Sequence, residues 1–113
     1  MNDLFAHIIV KSVSPDGVQK ISSVGIGVPV EESTGDYGCT VWFPDSDSKT
    51  IFGVDSLQAL SLAMQFSGHR IHDLISKGWK FFYPESDDEV PFETYFIRPA
   101  WAPGFEVKKQ PEP

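Results

Sequence analysis

His69 and His72 stand three residues apart with Asp73 directly after, and on a helix that spacing puts both imidazoles on one side, with Asp73 in reach of His69. Two imidazoles are part of a catalytic zinc site, which needs a third protein ligand and hydrogen-bonding partners behind it. His7 or the single cysteine, Cys39, would have to supply that ligand from another element. A solvated helix face with an ordinary His–Asp pair explains the same residues with fewer assumptions. Cys39 opens the run Cys39-Thr40-Val41-Trp42-Phe43, with neither a glycine-rich elbow nor a helix start beside it. That setting describes a buried, inert thiol rather than a nucleophile.

Two other spacings resemble known motifs and fail on particular positions. Asp45-Ser46-Asp47 resembles the opening of a calcium loop, but the sixth position is Thr50 instead of glycine and the twelfth is Ser56 instead of a bidentate glutamate. It reads as a hairpin connection. Gly25-Ile26-Gly27 follows a strand as a dinucleotide fingerprint would, yet Val30 occupies the third glycine position and Pro29 with Glu31-Glu32 leads into a loop, not a helix. Those glycines are expected to relieve a bulge or a close contact within a sheet.

The remaining constellation is compositional. Glu85, Asp87, Asp88, Glu89 and Glu93 place five of the sixteen acids within nine positions, flanked by Tyr83, Phe92, Tyr95 and Phe96. Acids with interleaved aromatics suit a surface that docks onto a basic protein, since charge steers the encounter and rings supply contact area. A solvated loop between two core-facing aromatic segments is the bland alternative. On the docking reading, the partner-binding residues are Glu85, Asp87, Asp88, Glu89, Glu93 and Tyr95.

Bulk properties narrow the classes. With 113 residues there is room for one domain, and 41% hydrophobic content is globular rather than disordered. Sixteen acids against nine bases give a net charge of −7, which lacks the basic footprint of a nucleic-acid binder. A lone cysteine favours a reducing compartment, and no basic-then-apolar leader or membrane-length apolar run is present, so a cytoplasmic location is expected.

These residues need elements to hold them. Leu4 to Val13 is apolar and β-branched. Ser14-Pro15-Asp16-Gly17 supplies turn chemistry, and Val18 to Val30 resumes the strand pattern, so a hairpin is expected. Cys39–Phe43 and Thr50–Val54 read as a second hairpin. Asp55 caps a helix with Gln58 completing a capping box, while Leu57, Leu60, Met64, Ile71, Leu74 and Ile75 recur at helical spacing up to Lys77 and a C′ glycine, Gly78. Extra apolar residues between Leu57 and Phe66 predict deeper burial of the N-terminal half. Gly68 predicts a close approach to the sheet or a kink. Trp79–Tyr83 and Phe92–Arg98 read as short strands, and residues 99–113 as an irregular tail containing Trp101 and Phe105.

The segment Gly53-Val54-Asp55-Ser56-Leu57-Gln58-Ala59-Leu60, continuing through Leu62-Ala63 towards Gly78, resembles the signature of a family of small bacterial proteins of unknown function. The resemblance implies a bacterial source and a β-then-α order. It brings no catalytic residues.

The expected fold is α+β: one domain over 1–113, with strands in 1–54 and a helix within 55–78. Strands with an acidic loop follow in 79–98, and a tail in 99–113. A four- or five-stranded antiparallel sheet of two hairpins packs on the helix at 56–77. Trp42, Thr40, Phe52 and Thr50 belong to the sheet's second face. The expected function is non-enzymatic and cofactor-free: an immunity protein that neutralises a basic toxin domain by covering its surface. The rivals are a homo-oligomeric subunit, such as a homodimer, and a metal- or thiol-dependent enzyme using His7, His69, His72 and Cys39.

Overall fold

The computed structural model describes residues 4–45 and 47–96. Six strands and two helices follow in the order β1 (Leu4–Val13), β2 (Gln19–Gly27), β3 (Val30–Glu31), β4 (Tyr37–Trp42), β5 (Ser48–Gly53), α1 (Ser56–Ser76), β6 (Lys80–Phe82) and α2 (Phe92–Tyr95). Every strand pairing is antiparallel, so the fold is α+β. β4 pairs along its whole length with β5, and its other edge takes β2 at Val41–Trp42 and β3 at Tyr37–Gly38. β2 and β3 are therefore one expected strand, interrupted at Val28-Pro29, where proline has no N–H to give the ladder. β1 lies between β2 and β6.

The first turn forms as its residues dictate. Ser14 and Gly17 close it through Gly17 N–H to the Ser14 carbonyl at 2.8 Å, with Gly17 at φ +87°. In α1 the Gln58 N–H donates to Asp55 Oδ1 at 2.7 Å, while Gln58 Oε1 accepts from Val54 N–H at 2.8 Å. The capping box forms with its return bond one residue further out than usual. At the other end Gly78 N–H donates to the Ile75 carbonyl and Trp79 N–H to the Leu74 carbonyl, both at 3.0 Å, with Gly78 at φ +105°. That is a Schellman end, and it needs a residue free to take positive φ.

One sheet face packs on α1 and on the segment after it. The core is Val10, Val24, Ile26, Cys39, Val41 and Phe43 from the sheet side, Ala59, Ala63, Ile71 and Leu74 from α1, and Phe81, Val90 and Phe92 beyond it. Three expectations are corrected here. The buried stripe of α1 is Ala59, Ala63, Ser67, Gly68, Ile71 and Leu74, whereas Leu57 is 75% exposed and Met64 and Ile75 are exposed too. Small residues fill much of the stripe because they let the helix axis approach the sheet; of the expected apolar positions Ile71 and Leu74 are buried and Leu60 packs on the core, while Leu57, Met64 and Ile75 face outward, and the N-terminal half is not the more deeply buried. The close approach at Gly68 is to the segment after the helix and not to the sheet: a Cβ there would sit 2.9 Å from Phe96 Cβ. Finally, Phe92–Tyr95 is a single helical turn, not a strand, because Phe92 turns into the core against Phe81 with ring centroids 5.5 Å apart. The tail at 99–113, with Trp101 and Phe105, lies outside the described residues.

Candidate functional site

The segment 83–93 leaves β6 as a tight excursion rather than a loose loop. Asp87 N–H donates to the Tyr83 carbonyl at 3.0 Å, Tyr83 N–H to the Asp88 carbonyl at 2.8 Å, and Val90 N–H to the Phe81 carbonyl at 2.9 Å. Asp87 takes φ 60°, a left-handed value that aspartate tolerates better than most side chains. Val90 and Phe92 are buried and pin the excursion from below. Its side chains therefore leave a fixed backbone, and ordering them on binding costs less than ordering a mobile loop.

Glu85, Asp87, Asp88, Glu89 and Glu93 are all exposed. Asp87 alone is neutralised among the described residues, by Lys11 across the edge of β1. Lys77 pairs instead with Asp73 at 2.9 Å, and Lys80 takes none of the five; Arg98 lies outside the described residues. The aromatic flanks divide. Phe92 is core and Phe96 packs on it, so neither is a docking ring. Tyr95 remains exposed and shares a hydroxyl–hydroxyl hydrogen bond of 2.9 Å with Tyr83. That bond, with burial and the Tyr95 and Asp88 charges behind it, raises the Tyr83 phenol above its ordinary range.

The other constellations are not assembled. His69 and His72 are exposed on α1, on the opposite side of the sheet from His7, which the register places across from Gly25 with Trp42 next in the row. Cys39 points towards the core, its thiol 3.2 Å from the Gly27 carbonyl, and burial pushes it up from the ordinary thiol range. Among the described residues no group of three or more His, Cys, Asp or Glu side chains is placed to hold a metal ion. Asp45 and Asp47 are tied to Arg70 of α1 at 2.5 and 3.5 Å, and Arg70 lies over the Phe43 ring, so the calcium-like loop is a helix anchor. Gly25 and Gly27 make room for Leu4 and for the Trp42 ring, with added Cβ atoms 3.1 and 3.3 Å from those side chains.

No family model, curated protein or solved structure matches the chain.

The resemblance carried by residues 53–60 thus rests on its residues alone, and geometry gives them a structural reason. A Cβ on Gly53 would lie 2.5 Å from the Ala59 backbone nitrogen. Glycine, cap and alanine together let β5 run into α1 without a gap. Among the described residues no helix is long and apolar enough to cross a membrane.

Two features escaped sequence reading: Lys11 as the anchor of the acidic segment, and Glu32, whose Oε1 stands 3.6 Å from the Cβ position of Gly38. Both arise from residues brought together by strand pairing, and neither has a local signature.

Proposed function

We propose that the chain is a cytoplasmic bacterial protein-binding domain, most specifically an immunity protein that silences a basic toxin domain by covering its surface. The observation that carries the reading is the fixed excursion 83–93, which holds Glu85, Asp88, Glu89 and Glu93 exposed and without an ion pair among the described residues. Carboxylates on a rigid backbone attract a basic surface at long range and fix its orientation on contact. Tyr95 adds a ring with a polar tip at the same place. Asp87 contributes through Lys11, as the peg that holds the segment down. No catalytic role is assigned to any residue.

The test is co-expression with a toxin domain encoded beside this chain. The wild type restores growth, and a variant carrying Glu85→Gln, Asp88→Asn, Glu89→Gln and Glu93→Gln binds the purified domain at least about tenfold more weakly, with a shallower salt dependence. A complex whose affinity ignores all four substitutions defeats the site, and the absence of any complex with that neighbour defeats the immunity role.

A further inference from the structure

The outer edge of β1 is paired only in part. Ser14 N–H donates to the Val18 carbonyl at 3.0 Å, so Ser14 turns its bonding groups towards β2. The two-residue alternation of an antiparallel ladder turns Ser12, Val10 and Ile8 the same way, and Val13, Lys11, Ile9 and His7 outward. β6 meets Val13 and Lys11 with Lys80 and Phe82. Among the described residues no strand meets Ile9 or His7. Both are exposed, as are Phe5 and Ala6. Sheet edges are commonly guarded by charged side chains or proline, and β5, at the far edge, carries Lys49. Residues 4–10 hold no Lys, Arg, Asp, Glu or Pro.

The open stretch is bounded at both ends. A bulge between Leu4 and Ala6 breaks the ladder at one. At the other, β6 runs antiparallel to β1, so after Phe82 the chain passes the level of Val10 and enters the turn at 84–86. That turn carries the exposed Glu85, and Asp87 just after it is tied to Lys11.

Resting on the reading above that the partner is basic, we propose that residues 6–10 dock an extended segment of that partner, which adds a strand beside β1 and sets a lysine or arginine against Glu85. Unpaired amides and carbonyls specify an extended backbone, because a helix has already used its own in internal bonds. Five residues span about 17 Å. Antiparallel pairing, which every strand of this sheet uses, puts the cation at the N-terminal end of the segment. A second copy of the chain is the poorer occupant. In antiparallel self-pairing its β6 would lie in line with the first copy's β1, and the registers that avoid this collision set Ile9 against Phe5 or an earlier residue, at the bulge.

The probe is a synthetic peptide of about seven residues, two lysines followed by alternating threonine and valine. One comparison peptide has glutamates for the lysines. Two others keep the lysines and are N-methylated at alternate strand amides, one in each phase. Each is titrated into the full chain by NMR, with amide hydrogen exchange. In the free chain the His7 and Ile9 amides exchange rapidly, while those of Ile8 and Val10, bonded to β2, exchange slowly. The lysine peptide slows His7 and Ile9 at least about tenfold and binds at least about tenfold more tightly than the glutamate peptide. Glu85→Gln, at an exposed position, narrows that gap. N-methylation in one phase abolishes binding, and in the other leaves it intact. Shifts confined to 83–93, with both N-methylated peptides binding normally, overturn the strand site while leaving the acidic docking site standing. Slow exchange of His7 and Ile9 in the dilute free chain overturns it by showing the edge already covered, and rapid exchange at saturating peptide overturns it outright. The growth assay above reads the immunity role separately, so failure there is distinguishable from failure here.

Discussion

Gly53 shows how one missing atom joins two elements. Its absent Cβ would meet the Ala59 backbone, which cannot swing aside as a side-chain tip could. Gly53→Ala is therefore expected to cost about 1–3 kcal/mol, as overpacked sites do. Leu57, three-quarters exposed in the same signature, is expected to change stability by no more than about 0.5 kcal/mol when replaced by serine. Urea denaturation of the two variants separates them; equal losses would mean that the leucine, not the glycine, holds the junction. Ser67 belongs to the same pattern of small residues, buried in the stripe with a hydroxyl that has no hydrogen-bond partner among the described residues. It is there for its size.

At the scale of elements, the strands of both hairpins and the limits of α1 could be read from sequence because their signals are local. Alternating β-branched residues, the Ser14–Gly17 turn, the Asp55 cap and the Gly78 end each act within a few residues. Asp55→Ala is expected to destabilise by about 1 kcal/mol, measured as a shift in the urea midpoint, since it frees the Gln58 N–H; no shift would show that the cap is idle. Where sequence reading failed, the deciding contact was distant. Phe92 takes a helical turn because Phe81 and the core receive its ring, and α1 buries alanines because the sheet demands closeness. The acidic segment was visible as composition, but its rigidity comes from Val90 bonding back to Phe81 and from Lys11, far away in sequence.

At the scale of the whole molecule, two groups bear on stability at alkaline pH. Cys39 and Tyr83 both have proton affinities raised by folding. For such groups the stabilisation is complete below the unfolded-state values, about 8.5 for a thiol and about 10 for a phenol, and is lost as pH rises through the folded-state values. Stability is therefore expected to fall above about pH 8.5, and Cys39→Ala is expected to flatten the first part of that fall in a pH series of thermal melts. An unchanged slope in the variant would remove Cys39 from the account. Of the sheet face turned away from α1, Trp42, Thr40, Phe52 and Thr50 were legible by strand alternation, whereas the meeting of Lys11 with Asp87 depends on how the sheet is ordered.

That ordering also governs the chain's birth. Lys11 finds Phe82 only after 71 further residues are made, roughly 4–14 s at ordinary ribosomal speeds. During that interval the Lys11–Val13 stretch of the first strand's outer margin has its amides and carbonyls unclaimed, an invitation to neighbouring nascent chains. The last three-residue strand is thus less an ornament of the finished sheet than the late cover for that stretch of its margin.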